Sequence, residues 1–305
     1  MKQLSKRSHC THLPIDDNTT HREFRSMSLL IQKPARLLQN LREIRALGAN
    51  SPSRTRLATN MFQANLKRVH HGWSNIANKV LGTSSVSVDL HLPTAKPFWY
   101  RCGTTDLLVL EQVFLDREYQ VEAIDPDSIE YIVDLGSNIG VTAMFWAQQY
   151  PKAQMVLVEP DPENFELLKR NTAGFQDRCK LLNVAVSDRK GVTTFFRSDR
   201  EYGHSILKTD DCVSEIQVET LTVPDVLKEA GFPRVDLLKM DIEGGEEIVM
   251  PTMESWPMTP RYLIAELHTP YDFSIFARHC GAVGLRAVES GNKEVRCNLP
   301  FAMRD

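Results

Sequence analysis

Two hydrophobic periods alternate along this chain, and the change from one to the other recurs. From Tyr131 onward, short apolar runs rich in β-branched residues precede longer stretches with apolar positions three and four apart. The runs at Tyr131–Val133, Met155–Val158, Lys180–Val186, Val235–Met240 and Tyr262–Ala265 predict buried core strands, and Val192–Phe196 and Ile216–Leu221 predict further ones. Val141–Gln149, the stretch from Pro162 to about Ala173 and the stretch ending at Ala230 have helical spacing. Strand, helix, strand in repetition predicts an α/β architecture, a mainly parallel sheet covered by helices on both faces.

The punctuation agrees with those elements. Asp161 is placed to cap the helix whose first position is Pro162. Thr222-Val-Pro-Asp225 has the form of a capping box. Further upstream, Val86–Leu92 alternates like a strand, Pro93–Pro97 reads as a turn, and Phe98–Tyr100 as a paired strand. A helix is expected over Leu107–Phe114, capped by Thr105 or Asp106. Leu37, Leu38, Leu41 and Ile44 share one face of a helix predicted over Ser28–Leu47, with Pro34 at its start or at a kink. A second helix is predicted over Arg56–Leu81, with Met61, Leu66, Val69, Trp73 and Ile76 as its apolar positions and Gly72 as a weak point. Three parts result: a polar tail (1–26) expected to be disordered, a basic helical extension (27–82) and an α/β domain (83–305).

Composition narrows the class. With 42% hydrophobic and 25% charged residues, the chain is globular rather than disordered or fibrous. No apolar run approaches the roughly 20 residues of a membrane span, and the basic, apolar and small-residue succession of a signal peptide is missing. Six cysteines without a CxxC pair argue against a zinc site or disulfide framework and suit a reducing compartment, so a cytoplasmic location is expected. His9, His12 and His21 lack metal-ligand spacing. Charge is uneven: residues 1–80 carry 14 Lys and Arg against 4 Asp and Glu, while residues 81–305 carry 22 against 35. Two readings of the basic helices stay open. They contact an anionic surface, either membrane headgroups or nucleic acid, or they pack on the main domain or on a second copy as a homo-oligomer. The packing reading is preferred, because apolar helix faces need cover.

The candidate chemistry lies where the strands end. After the strand at Tyr131–Val133 come Asp134, Gly136, Ser137, Asn138 and Gly140, then a helix start. This is the usual cradle for a nucleotide-like ligand, with glycine permitting close backbone approach and the helix offering free N–H groups. The other strand ends carry Glu159, Asp188, Asp241, Glu243 and Glu266. Ligands of open α/β sheets sit beyond those ends, and so many carboxylates at one edge call for a cation or a ligand rich in hydroxyls and amine. Glu159 follows Asp134 by 25 residues, near the spacing at which a carboxylate accepts ribose hydroxyls. A dinucleotide fits less well, since its pyrophosphate disfavours an acidic rim and position 141 is valine rather than a third glycine. S-adenosylmethionine, with a ribose, an ammonium and a sulfonium but no phosphate, fits better.

The chain resembles the FkbM family of S-adenosylmethionine-dependent methyltransferases. Arg101-Cys-Gly-Thr-Thr-Asp106 with Glu118-Tyr119, Val133–Gly140, Glu159-Pro-Asp-Pro162 with Asn171, Leu238–Glu246 and Glu266-Leu-His268 carry the likeness, over roughly residues 86–270. Lys-Met-Asp-Ile-Glu-Gly is its most specific segment, and Ser137 and Gly245 stand where alanine is more usual. The resemblance implies a Rossmann-like class I methyltransferase fold with a central, mostly parallel sheet; residues 1–80 lie outside it, and the N-terminal helical extension is read from their own helical spacing. It also implies methyl transfer to a hydroxyl of a small molecule or carbohydrate, of glycan or natural-product type. By that likeness Asp134, Gly136, Ser137, Asn138 and Gly140 hold the methionine part of the cofactor, Glu159 its ribose, and the turn at Ser187 lies beside the adenine. Asp161 adjoins the ribose site, and Asp241 lies near the transferred methyl.

An alcohol is a poor nucleophile until its proton is removed. Asp241, Glu243 and His268 are the candidate bases, and His268 has the best unperturbed pKa, about 6.5. In the alternative, Asp241 and Glu243 bind a divalent ion; that reading is less favoured, because the sequence offers oxygens from only two neighbouring carboxylates. His204 falls on a stretch read as a substrate loop. Two competing classes remain: a nucleic-acid methyltransferase guided by the basic arm, disfavoured because no Asn-Pro-Pro-Tyr-like motif follows the fourth strand, and a non-catalytic cofactor-binding module.

Overall fold

β-Branched and aliphatic runs buried on both faces build the central sheet. A computed structural model describes residues 34–69, 85–91, 97–198, 205–207, 212–293 and 295–304. The chain divides into two units, residues 1–39 and 40–305. Of the first, only residues 34–39 are described, as the opening of helix α1 (Pro34–Leu47). The expectations for residues 1–33, for the helix beyond residue 69 with its weak point at Gly72, for the turn over residues 93–96 and for His204 lie outside the described residues.

The main sheet has seven strands in the order β11-β12-β10-β9-β3-β4-β5. These are β3 (Tyr131–Leu135), β4 (Gln154–Val158), β5 (Cys179–Leu182), β9 (Leu237–Met240), β10 (Tyr262–Ala265), β11 (Arg286–Val288) and β12 (Phe301–Met303). β3, β4, β5, β9 and β10 run parallel; β12 is antiparallel to β10 and β11. Every residue of β9 and β10 is buried, which is why these strands read as apolar runs rather than alternating ones, broken only by Lys239 in β9. This is the Rossmann-like sheet expected above. From β3 the chain proceeds outward to β4 and β5, whereas β9 and β10 lie on its other side. The crevice beyond the carboxyl ends of β3 and β9 is therefore the topological switch point.

Helices α3 (Asp106–Phe114), α4 (Val141–Gln149) and α5 (Pro162–Thr172) pack with one core cluster, and α6 (Val223–Ala230) and α7 (Phe273–Ala282) with the other. Asp161 caps α5 through the N–H groups of Glu163 and Asn164, and Thr222 with Asp225 forms the capping box of α6. Ile44, Leu57, Met61 and Ala64, from α1 and α2 (Ser51–Val69), are buried in the same cluster as Val88, Phe98 and Leu110. Over these residues the apolar faces of the basic helices are covered by their own unit.

Three expectations change. The strand expected over Lys180–Val186 is two strands. Asn183 turns the chain by donating its amide to the carbonyls of Glu159 and Pro160, and β6 (Ala185–Val186) pairs with β8 (Cys212–Leu221) in a separate sheet, β6-β8-β7. β7 (Gly191–Ser198) completes it, antiparallel to β8. The strand expected over Val86–Leu92 ends early: β1 (Ser85–Val88) pairs with β2 (Phe98–Arg101), and Leu90 makes a lone bridge to Gly48. Helix α3 takes no side-chain cap from Thr105, and Asp106 turns back to Arg101 instead.

Candidate active site

β3 delivers its turn to the switch point through two glycines. Gly136 has φ +85°, and a Cβ there would lie 1.8 Å from the carbonyl oxygen of Asp241, so only glycine lets this turn close on the end of β9. Gly140 has φ +87° and caps α4; a Cβ would press on Leu168 at 2.8 Å. Gly140 thus shapes the turn from behind, and it is Gly136, Ser137 and Asn138 that face the cavity.

The cavity has two chemically different ends. Val158, Val184, Val186, Phe195 and Ile206 supply an apolar wall, with Phe195 and Ile206 coming from the smaller sheet and its edge. At the other end stand Glu118, Tyr119, Asp241, Glu243 and Glu266, with Lys239 on the floor. Glu159 lies between these ends, nearly buried. Its Oε2 accepts from the N–H of Asn138 at 2.9 Å; its Oε1 accepts from the N–H of Asp161 at 2.9 Å and from Asn164 Nδ2 at 3.3 Å. A carboxylate has about four acceptor positions, so one remains for a ligand hydroxyl. Burial outweighs these donors and pushes the Glu159 carboxyl up to about 7.

Lys239 was not read as a site residue from the sequence. Its signal was present: a lysine in the middle of an apolar strand needs a buried partner. Its Nζ donates to the carbonyl of Gly136 at 2.7 Å and lies 3.2 Å from Asp134 and 3.4 Å from Asp241. Burial pulls its pKa down, but the two carboxylates more than offset that and raise it. Tyr119 donates its hydroxyl to Asp241 Oδ2 at 2.8 Å, and the Lys239 ammonium lies 5.2 Å from the centre of the Tyr119 ring.

At the acidic end, His268 Nε2 is 3.2 Å from Glu243 and its Nδ1 is 3.3 Å from Glu246. Glu246 is fully buried and held by the N–H groups of Ile242 and Gly244. Burial favours neutral His268, yet hydrogen bonds to Glu243 and Glu246 and their charges push its pKa up to about 11. This corrects the expectation of a histidine titrating near its ordinary value. Desolvation raises Glu243 to about 7 against the pull of His268, and the negative charge of Asp241, followed by burial, raises Glu266 to about 8. Glu118 is pushed up to about 7 by burial and then by Asp241. Glu243 has φ +54°, in the left-handed region, and its carbonyl accepts from Ser205 Oγ at 2.5 Å. Asp241, Glu243 and His268 each offer one ligand atom within 4.8 Å of the others, close enough to share a cation.

Four residues expected at the cofactor lie outside this lining. Asp134 is wholly buried, with Lys239 as its counter-ion. Gly140 stands behind the turn. Asp161 is consumed by the α5 cap and by Arg197 Nε at 2.5 Å. Ser187 is only partly buried and bonds to Asp188, whose carboxylate turns to Arg189. The reason is geometric: β6 carries this turn into the second sheet. The acidic rim therefore draws on Glu118 and on four of the six expected strand-end acids.

Residues 134–276 match the family model described as the methyltransferase FkbM domain. They form an FkbM methyltransferase domain. The 2-O-methyltransferase NoeI of Sinorhizobium fredii is 35% identical over 141 residues, covering 41% of this chain and 57% of that protein. The 31-O-demethyl-FK506 methyltransferase FkbM of Streptomyces tacrolimicus is 27% identical over 217 residues, 61% of this chain and 83% of that one. A solved FkbM methyltransferase from Methylobacillus flagellatus superposes with a TM-score of 0.43 and 10% identity, over 88% of this chain and 58% of that chain. The matched span begins at Asp134, within β3, so β1, β2, Glu118 and Tyr119 precede it, although Glu118 and Tyr119 line the cavity. Among the described residues no helix is long and apolar enough to cross a membrane.

Proposed function

We propose that the chain transfers a methyl group from S-adenosylmethionine to a hydroxyl of a carbohydrate or natural-product acceptor. The observation that carries this is the two-ended cavity at the switch point, apolar toward Val186 and Phe195 and acidic toward Asp241 and Glu266. An adenine suits the apolar wall, a ribose hydroxyl the remaining acceptor position on Glu159, and an ammonium with a sulfonium the acidic end. The bound cofactor supplies a methyl group activated on a positively charged sulfur. Gly136, Ser137 and Asn138 would hold its amino-acid portion.

The chain's own work is alignment and proton handling. Holding acceptor and donor in line lowers the barrier by roughly 7–11 kcal/mol. The acceptor proton passes to the Glu243–His268 pair. Because His268 is an imidazolium at neutral pH, Glu243 is the group that takes the proton, and His268 orients it and balances the charge of Glu246. A hydroxyl acceptor is supported by the O-methylation named for NoeI and FkbM.

Calorimetric titration with S-adenosylhomocysteine and with NAD tests the donor. Binding of the sulfur compound alone is expected; binding of NAD alone would overturn the proposal. Mass spectrometry of a glycoside panel after incubation with S-adenosylmethionine then seeks the mass of one added methyl.

A further inference from the structure

We propose that β2 and the turn Arg101–Asp106, which precede the residues that the family model matches, complete the nucleoside end of the cavity, with Arg101 and Asn164 as positioning residues that act through Glu159. This rests on the reading of Glu159 as the cofactor's hydroxyl acceptor. Arg101 is buried on β2. It binds Asp106 through Nε at 3.0 Å and Nη2 at 2.8 Å, and the same Nη2 donates to Asn164 Oδ1 at 2.8 Å. Asn164 Nδ2 then donates to Glu159 Oε1.

The chemistry of this chain of bonds fixes a direction. A carboxamide can turn over and exchange its oxygen for its nitrogen. Arginine has donors only, so it holds Oδ1 toward itself and leaves Nδ2 aimed at Glu159. Without Arg101 the flipped amide would set an oxygen against a carboxylate oxygen. The other Glu159 oxygen is tied to the same strand by a second path. Asn171 accepts from the Trp99 N–H at 2.7 Å and donates to the carbonyls of Trp99 and Ile139, at 2.9 and 2.8 Å. Ile139 follows Asn138, whose N–H holds Glu159 Oε2. Both oxygens of the Glu159 carboxylate are thus braced from β2.

The test is a double-mutant cycle on the full chain, read by calorimetry with S-adenosylhomocysteine. Asn164→Leu is expected to weaken binding about tenfold or more, the size of a lost bond to a charged group. In a Glu159→Gln background the same change is expected to cost less than about twofold. Arg101→Lys, which keeps a cation beside Asp106, is expected to give a smaller loss that also vanishes in that background. Asn164→Asp keeps the shape and the acceptor for Arg101 while removing the donor, and serves if the leucine variant does not fold. Wild-type affinity in Asn164→Leu, or an equal loss in both backgrounds, overturns the coupling.

A wild-type chain that binds no S-adenosylhomocysteine overturns the cofactor reading alone, and the coupling is then read without ligand. Besides the neutral Asn164 amide, Glu159 faces two charged groups: Asp161, paired with Arg197, and Arg101 behind Asn164. Its carboxyl is already raised by burial, so losing the Asn164 donor penalises the ionised form further. The melting-temperature deficit of Asn164→Leu is therefore expected to grow from about pH 6 to about pH 9 and to lose that dependence with Glu159→Gln. A deficit independent of pH in both backgrounds rejects the coupling.

Discussion

The ammonium of Lys239 lies 3.2 Å from a carboxylate oxygen of Asp134, and neither side chain reaches solvent. The pair sits on adjacent strands, since Asp134 of β3 stands opposite Lys239 of β9 in the parallel register. Lys239 also faces Asp241 and the Gly136 carbonyl, so one buried cation sets the electrostatics of the switch point.

Removing that cation strands Asp134. Lys239→Met is expected to cost about 3–5 kcal/mol in urea denaturation, the usual penalty for an uncompensated buried charge. Adding Asp134→Asn should restore more than half of the loss. If the double variant is no more stable than Lys239→Met, the pair is not what holds the two strand ends.

The alternation of strand and helix, the two α-helix caps and the positions of Gly136, Asn138 and Glu159 were legible in the sequence because each depends on local pattern. Position in space was not. Asp134 and Glu159 look alike on paper, both acids at strand ends, but the register of β3 against β9 buries one under Lys239 and leaves the other in the cavity. The fate of Ser187 depended on Asn183 breaking a strand that looked continuous. Glu118 and Tyr119 belong to no strand end, and only the packing of α3 brings them to the cavity. β11 and β12 are three residues each, too short for a periodic signal.

Gly136→Ala tests the closeness of the two strand ends. The new methyl would meet the Asp241 carbonyl in a backbone conformation that alanine resists, a strain of about 1–3 kcal/mol before any clash. Loss of S-adenosylhomocysteine binding is expected together with a lowered urea midpoint. Gly231, with φ +68° and open space around it, is the control: alanine there should destabilise the fold slightly and leave binding intact.

Tyr119→Phe removes the hydroxyl donor to Asp241 and nothing else of the ring. A bond to a charged group contributes about 1.5–3 kcal/mol, so kcat/KM is expected to fall about 10- to 100-fold. The circular dichroism spectrum should not change, because the ring keeps its edge contact with Trp146. Undiminished kcat/KM would mean that Asp241 needs no such anchor.

Asp241, Glu243 and His268 are near enough to share a cation, and the protonated imidazole already supplies one. A divalent ion would have to displace the His268 proton against both Glu243 and Glu246. Millimolar Mg²⁺ or Mn²⁺ is therefore expected to leave the melting temperature and the transfer rate unchanged near pH 7. A rise in both, abolished by His268→Ala, would make the trio a metal seat.

The pH–rate profile separates the candidate bases. A carboxylate base works only when ionised, so a reaction using Glu243 gains rate as pH rises through about 7 and then levels. If His268 were the base, its deprotonation would govern the reaction, and the rate would climb about tenfold per pH unit as far as about 11. A plateau between the two values is expected, with a fall only where His268 loses its proton and no longer balances Glu246. Glu243→Gln should remove the limb near 7 and lower kcat by about 10²- to 10⁴-fold, whereas Glu266→Gln should leave the limb in place. A profile that rises without a break to high pH assigns the proton to His268 instead.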